Sequence, residues 1–120
     1  MTKKAFALGA IAPYYKNPST CGYEGDGCYY LTEDGRMCVV GKHMLNPKDD
    51  KLFNMDSFRI LTMYSQKEVL KPEFVGILSA SEWQTLQDIH DCLATGSINV
   101  EKYINSSELF TLEELKEFCL

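Results

Sequence analysis

One stretch of this chain, from Ser79 to Gly96, carries the complete pattern of an amphipathic helix. Ser79 and Ser81 each have a glutamate or glutamine three residues later, which is the spacing of a capping box. Gly96 stands where a glycine commonly ends a helix. Between these ends, residues for one buried face recur at helical spacing: Trp83, Leu86, His90 and Leu93. We predict a helix from about Glu82 to Ala94 that supplies the central stripe of the core.

Shorter helices are predicted on both sides of this stretch. Pro13 is expected to end the first of them, because its ring removes a backbone N–H and clashes with the preceding turn. Thr111 and Glu114 form a second capping box, which begins the last helix. The predicted segments are Ala5–Ala12, the apolar pattern from Phe58 to Tyr64, Val100–Ile104 and Leu112–Cys119.

The segment between these helices reads as a β-hairpin. Cys28–Thr32 is rich in residues that favour strands, Asp34-Gly35 is a strong turn signal, and Met37–Val40 supplies the returning strand. Apolar side chains occur on both faces, so we expect cover on both faces, or cover on one face and a ligand or partner on the other. We therefore predict an α+β fold, in which a small antiparallel hairpin or sheet packs against three to five helices in one domain spanning residues 1–120.

Composition excludes several classes of protein. The chain has 120 residues, of which 45% are hydrophobic, so it can build a core of its own. It contains no run near the roughly 20 apolar residues that a membrane span needs. The net charge of −5 argues against nonspecific nucleic-acid binding. The short apolar stretch after Lys3 and Lys4 favours a helix over a cleaved leader, and the odd number of cysteines predicts reduced thiols in the cytoplasm.

Two separated motifs resemble an uncharacterised family of small phage and bacterial proteins. The first runs from Cys28-Tyr29-Tyr30 through the segment Asp34–Gly41, and the second is Leu86-Gln87-Asp88-Ile89-His90-Asp91. The chain departs from the family at Lys42-His43-Met44, where members more often continue with small and apolar residues. The resemblance implies a phage or mobile-element setting, in the host cytosol, where small proteins often inhibit or sequester host components.

Thiols and imidazoles define the candidates for chemistry. Cys21, Cys28, Cys38 and His43 are the residue types that zinc prefers, although six, nine and four residues separate them and no Cys-x-x-Cys occurs. We predict buried thiols and no metal or catalytic residue. A zinc site on these four residues, or a thiol enzyme that pairs Cys28 or Cys38 with His43 or His90, stays as the alternative.

His90 and Asp91 look like a catalytic pair, but neighbours on a helix point about 100° apart and are not expected to face each other. We interpret His90 as a core residue that bonds a loop carbonyl or a carboxylate.

Tyrosine is concentrated in one part of the chain. Five of the seven tyrosines fall within 17 residues, and cationic side chains follow them. Tyrosine suits binding surfaces, although several of these rings also fit a core position. The predicted binding residues are Tyr14, Tyr15, Tyr23, Tyr29, Tyr30, Arg36, Lys42, His43 and His90.

These observations favour binding over catalysis. The predicted function is to inhibit or sequester a host protein, such as a defence protein, or a small nucleotide-like signal. The alternatives are the cysteine and histidine chemistry above and a structural subunit whose tyrosines form a homo-oligomer contact.

Overall fold

A computed structural model describes residues 2–24, 27–47 and 57–120. Helices account for most of this structure, and single 3-10 turns at Pro18–Thr20, Gly41–His43 and Pro72–Phe74 connect them. The helices are α1 (Lys3–Lys16), α2 (Ser57–Met63), α3 (Gln66–Val69), α4 (Ala80–Thr95), α5 (Val100–Ser106) and α6 (Leu112–Phe118). None of the helices described is both long and apolar enough to cross a bilayer.

Helix α4 lies at the centre, and α1, α2 and α5 pack against it. The Ser79 hydroxyl accepts a hydrogen bond from the Glu82 N–H, and Glu82 reaches back to the Ser79 N–H. Gly96 ends the helix in the left-handed conformation, with φ of 67°. The predicted stripe is buried, and Ile89 and Gln87 are buried with it. The prediction for this helix is therefore confirmed at both ends and along its core face.

Helix α1 does not end at Pro13, so the predicted stop there is wrong. The helix continues to Lys16, and the Asn17 N–H bonds the Pro13 carbonyl at 3.0 Å. A proline inside a helix costs about 3 kcal/mol. Residues before and after the proline, including Ile11 and Tyr14, are buried in the core. The Tyr14 hydroxyl also donates to the Met37 carbonyl at 2.6 Å. These contacts offset the cost of the proline.

The predicted hairpin is wrong, and with it the α+β fold class, because the described chain is almost entirely helical. The strands are two residues each, β1 (Tyr23–Glu24) and β2 (Gly27–Cys28), and they pair antiparallel. The turn at Asp34-Gly35 does form: Gly35 has φ of 89° and its N–H bonds the Thr32 carbonyl at 3.1 Å. No strands flank this turn.

One side chain of α4 and one of the segment itself take the place of a partner strand. The Val40 N–H donates to Gln87 Oε1 at 3.3 Å, and the Gly41 N–H donates to Cys38 Sγ at 3.2 Å. Cys38, Val39 and Val40 are fully buried, as expected for a segment covered on both faces. Their backbone groups need partners, and partners outside a sheet satisfy them.

The remaining predicted helices are confirmed with small shifts at their ends. Helix α2 covers Ser57–Met63, α5 runs to Ser106, and α6 begins after the Thr111 capping box. Helices α5 and α6 contact each other, and α6 closes against α1. The buried apolar residues form one cluster that includes Phe6, Trp83 and Leu115.

Replacing Gly41 with alanine should destabilise the protein strongly. A Cβ at this position would lie 2.1 Å from the Tyr30 carbonyl oxygen, which is a backbone atom that cannot turn aside. We expect Gly41→Ala to lower the free energy of unfolding by about 3 kcal/mol. Gly9→Ala is the control, because a Cβ there meets only Phe118, at 3.9 Å. It should raise the same quantity by about 0.5–1 kcal/mol. Urea denaturation followed by circular dichroism measures both, and equal stabilities would contradict the close approach.

Two capping glutamates should make stability depend on acid pH. The Ser79 N–H and then Lys3 hold the pKa of Glu82 below its ordinary 4.5, and Lys4 and then the Thr111 N–H do the same to the pKa of Glu114. A glutamate whose pKa is lower in the folded than in the unfolded protein stabilises the fold at pH values above the unfolded pKa. This stabilisation is lost as the pH falls below about 4.5. Glu82→Gln/Glu114→Gln keeps an amide oxygen at each cap but cannot titrate there.

We therefore expect the double variant to lose less stability than wild type between pH 7 and pH 3.5. The midpoint of urea denaturation at each pH measures this loss. Glu101→Gln/Glu117→Gln, which replaces two exposed carboxylates, should behave as wild type. A double cap variant with the full acid sensitivity of wild type would contradict the prediction.

Candidate functional site

His90 is fully buried and both of its ring nitrogens are occupied. Nε2 accepts the Gly22 backbone N–H at 3.1 Å, and Nδ1 lies 2.8 Å from Asp91 Oδ1. A carboxylate only accepts, so Nδ1 carries the proton. Gln87 donates to the same oxygen of Asp91 at 3.1 Å. The imidazole therefore links α4 to the backbone at Gly22.

The expectation that His90 and Asp91 do not face each other is wrong. Neighbouring positions on a helix point about 100° apart, yet Nδ1 of His90 lies 2.8 Å from Asp91 Oδ1, so the ends of the two side chains meet. The interpretation of His90 as a bonded core residue is confirmed through this carboxylate. Its loop partner is a backbone N–H and not the expected carbonyl.

The buried thiols are poorly placed for nucleophilic chemistry. Burial, followed by the Asp91 charge, raises the pKa of Cys21 to about 11. Its sulfur lies 3.8 Å from the His90 carbonyl oxygen. Cys38 is completely buried and its sulfur accepts the Gly41 N–H. Because a thiolate is the reactive form, the raised pKa and the burial of Cys21 predict slow reaction near neutral pH.

The predicted zinc residues do not form a cluster within the described part of the chain. There, no three histidine, cysteine, aspartate or glutamate side chains come together around a common point. The side chain of Cys28 lies outside the described residues. The four-residue zinc set therefore stays a prediction.

The predicted binding tyrosines differ in their surroundings. Tyr14 is buried, with its ring edge-on to His90 at a centroid distance of 4.8 Å, whereas the other four that were predicted are half-buried. Those four are Tyr15, Tyr23, Tyr29 and Tyr30. Arg36 donates to the carbonyls of Cys21 and Tyr23, at 3.2 and 3.0 Å, so its guanidinium helps to hold the loop.

Lys42 connects the buried tyrosine to the surface. Its Nζ lies 4.8 Å from the centroid of the Tyr14 ring, a distance typical of a cation–π interaction. The structure thus brings three of the predicted residues into contact in the order Lys42, Tyr14 and His90.

His43 sits in a cage of three aromatic rings. Its ring centroid lies 5.4 Å from Phe6, 4.5 Å from Phe74 and 5.3 Å from Trp83. Nδ1 lies 2.7 Å from the Val39 carbonyl oxygen, which only accepts, so Nδ1 carries the proton. Nε2 is then a hydrogen-bond acceptor. It has no partner among the described residues, and it is not among their buried unpartnered atoms.

Two lysines lie near this imidazole. The Lys71 N–H donates to the His43 carbonyl at 2.9 Å, next to the bridge that pairs Met44 with Leu70. Burial lowers the pKa of His43, and the charges of Lys42 and Lys71 lower it further, against the bond to Val39. His43 is therefore neutral near pH 7.

The two lysines beside His43 are exposed to solvent. Among the described residues, Lys42 and Lys71 form no ion pair with a carboxylate, which is also true of the lysines other than Lys3 and Lys4. We call the surface of Lys42, His43, Lys71 and Phe74 the His43 face. Sequence reasoning found Lys42 and His43 but missed Lys71 and Phe74, because no local pattern indicates which distant segment the Met44–Leu70 bridge brings to them.

Beneath the His43 face lies a polar atom without a partner. Trp83 is completely buried, and its indole Nε1 makes no hydrogen bond within the described structure. An unpaired buried donor costs about 1–3 kcal/mol. This cost marks the contact between Trp83 and His43 as a place where the fold gives up stability.

No protein-family model matches the chain, and no similar protein was found among curated proteins or solved structures. The resemblance to a phage and bacterial family accordingly stays a prediction.

Thiol labelling should separate the buried cysteines from the others. Cys92 and Cys119 are half-buried, while Cys21 and Cys38 are buried. With iodoacetamide at pH 8, we expect Cys119 or Cys92 to be modified first and Cys21 only after urea is added. Peptide mass spectrometry measures the order. Fast labelling of Cys21 in the folded protein would contradict its raised pKa, and fast labelling of Cys38 would favour the thiol-enzyme alternative.

Proposed function

We propose that this protein acts by binding and not by catalysis, and that the His43 face holds a small anionic partner. The observation that supports this most is that two exposed lysines, Lys42 and Lys71, lie close to an imidazole that three aromatic rings hold in place. Two of the groups predicted for the catalytic alternative, Cys38 and His90, are buried and bonded inside the fold.

The His43 face is organised before any partner arrives. Nδ1 of His43 is committed to the Val39 carbonyl, and the cation–π contact with Tyr14 restrains the Lys42 ammonium. Groups that are already ordered lose little conformational entropy on binding. The prior ordering of His43 and Lys42 therefore supports a role for these two side chains in recognition.

The charge distribution favours a small partner over a long polyanion. The chain as a whole carries −5, so an extended polyanion is repelled by most of its surface. Two lysines neutralise at most a few phosphates, whereas nucleic-acid binding depends on many such contacts. Of the two predicted kinds of partner, a host protein or a small nucleotide-like signal, this argument favours the small signal. In the predicted phage-type cytoplasmic setting, the protein would act by sequestering it.

Removing the two charges should remove anion binding. In ¹H–¹⁵N NMR titrations with inorganic phosphate, we expect shifts at residues 41–45 and 69–75 in wild type. We expect at least tenfold weaker binding by Lys42→Gln/Lys71→Gln, because each charge-assisted contact contributes about 1.5–3 kcal/mol when it is well formed. The matched control is Lys102→Gln/Lys116→Gln, which removes the same charge from exposed positions on α5 and α6.

If the control variant loses as much affinity as the His43-face variant, the effect is one of net charge and the proposed site is wrong. Shifts confined to other residues would equally contradict it.

A further inference from the structure

The His43 face presents a hydrogen-bond acceptor beside positive charge, and this mixture limits which anions fit it. Nε2 of neutral His43 offers a lone pair, because Nδ1 holds the proton. A deprotonated phosphate oxygen also offers lone pairs, so Nε2 accepts a hydrogen bond from a phosphate only where that phosphate keeps an O–H. A partner that satisfies the whole face must bring a negative group for the lysines and an N–H or O–H donor for Nε2.

An apolar wall stands next to this acceptor. Phe74 lies edge-on to His43, with 84° between the rings, and it is only half-buried. Phe6 is 5.8 Å from Phe74 and closes the cluster from the interior. A flat ring in the partner can pack against the accessible part of Phe74, as aromatic pairs commonly do. Such a wall adds nothing to the binding of a purely ionic partner.

We infer that the partner is a nucleoside phosphate, whose phosphate contacts Lys42 and Lys71, whose amino or imino N–H donates to His43 Nε2, and whose base packs on Phe74. This inference rests on the proposed function and names the ligand class of the same face. A sugar phosphate shares the anion and the donor but lacks the flat ring. His43 is then a residue for specificity, and the lysines supply affinity for any phosphate.

Three ligands that carry the same phosphate group test the inference. Isothermal titration calorimetry compares AMP, ribose 5-phosphate and inorganic phosphate with the full-length wild-type protein. We expect AMP to bind at least tenfold more tightly than phosphate, with ribose 5-phosphate between them, since one hydrogen bond and one ring contact each contribute a few-fold.

The variant His43→Phe isolates the acceptor. Phenylalanine keeps a ring among Phe6, Phe74 and Trp83 but removes Nε2. We expect this variant to lose most of the preference for AMP over inorganic phosphate, measured as the ratio of the two dissociation constants. His43→Gln, which restores an acceptor, should recover part of that preference. Urea denaturation checks that each variant is folded, and the wild-type comparison of ligands stands even where a variant is not.

Each other outcome overturns a defined statement. If AMP and ribose 5-phosphate bind with equal affinity, and both bind more tightly than inorganic phosphate, the inference of a nucleoside is wrong. A sugar phosphate is then the ligand. Equal affinity for all three ligands overturns the inference but leaves the proposed anion site. No binding of any of them overturns the inference and the proposed function together.

Discussion

The hydrogen bond from the Gly22 backbone to His90 is the contact on which the first half of the structure depends. The described residues between 21 and 43 form two short strands and one 3-10 turn, so a helix or a sheet satisfies few of their backbone groups. Helix α4 provides partners instead, through the imidazole of His90 and the amide of Gln87. These two side chains lie one turn apart on a capped helix, and they anchor opposite ends of the segment, at Gly22 and Val40.

The position of the His43 face follows from this anchoring. Once Val40 is held on α4, the 3-10 turn at Gly41–His43 brings His43 against Trp83 of the same helix. The following residues pair with the segment after α3, which brings Lys71 beside the imidazole. A few residues of backbone thus connect the bonds that α4 makes to this segment with the His43 face. We expect a loss of those bonds to disturb the His43 face.

Burial changes the pKa of a thiol and the pKa of an imidazole in opposite directions, and in both cases it favours the neutral form. It raises the pKa of Cys21 and keeps that thiol protonated, and it lowers the pKa of His43 and keeps that imidazole neutral. His90 uses both nitrogens inside the protein, whereas His43 uses one and leaves the other for a partner. This difference in hydrogen bonding, and not the residue type, distinguishes the structural histidine from the one we propose to bind a ligand.

The sequence alone determined α2, α4, α5 and α6, because caps and apolar periodicity act between residues a few positions apart. Ser79, Gly96 and Thr111 placed helix ends correctly on such short-range terms. It also indicated the turn at Gly35, but not the absence of strands around it. Only the tertiary structure decided that Val40 bonds Gln87, that α1 continues through Pro13, and that Phe74 and Lys71 meet His43. The physical reason is that each of these contacts depends on burial against a segment distant in the chain. The free energy gained by that burial outweighs the local preference, and it leaves no pattern in the nearby sequence.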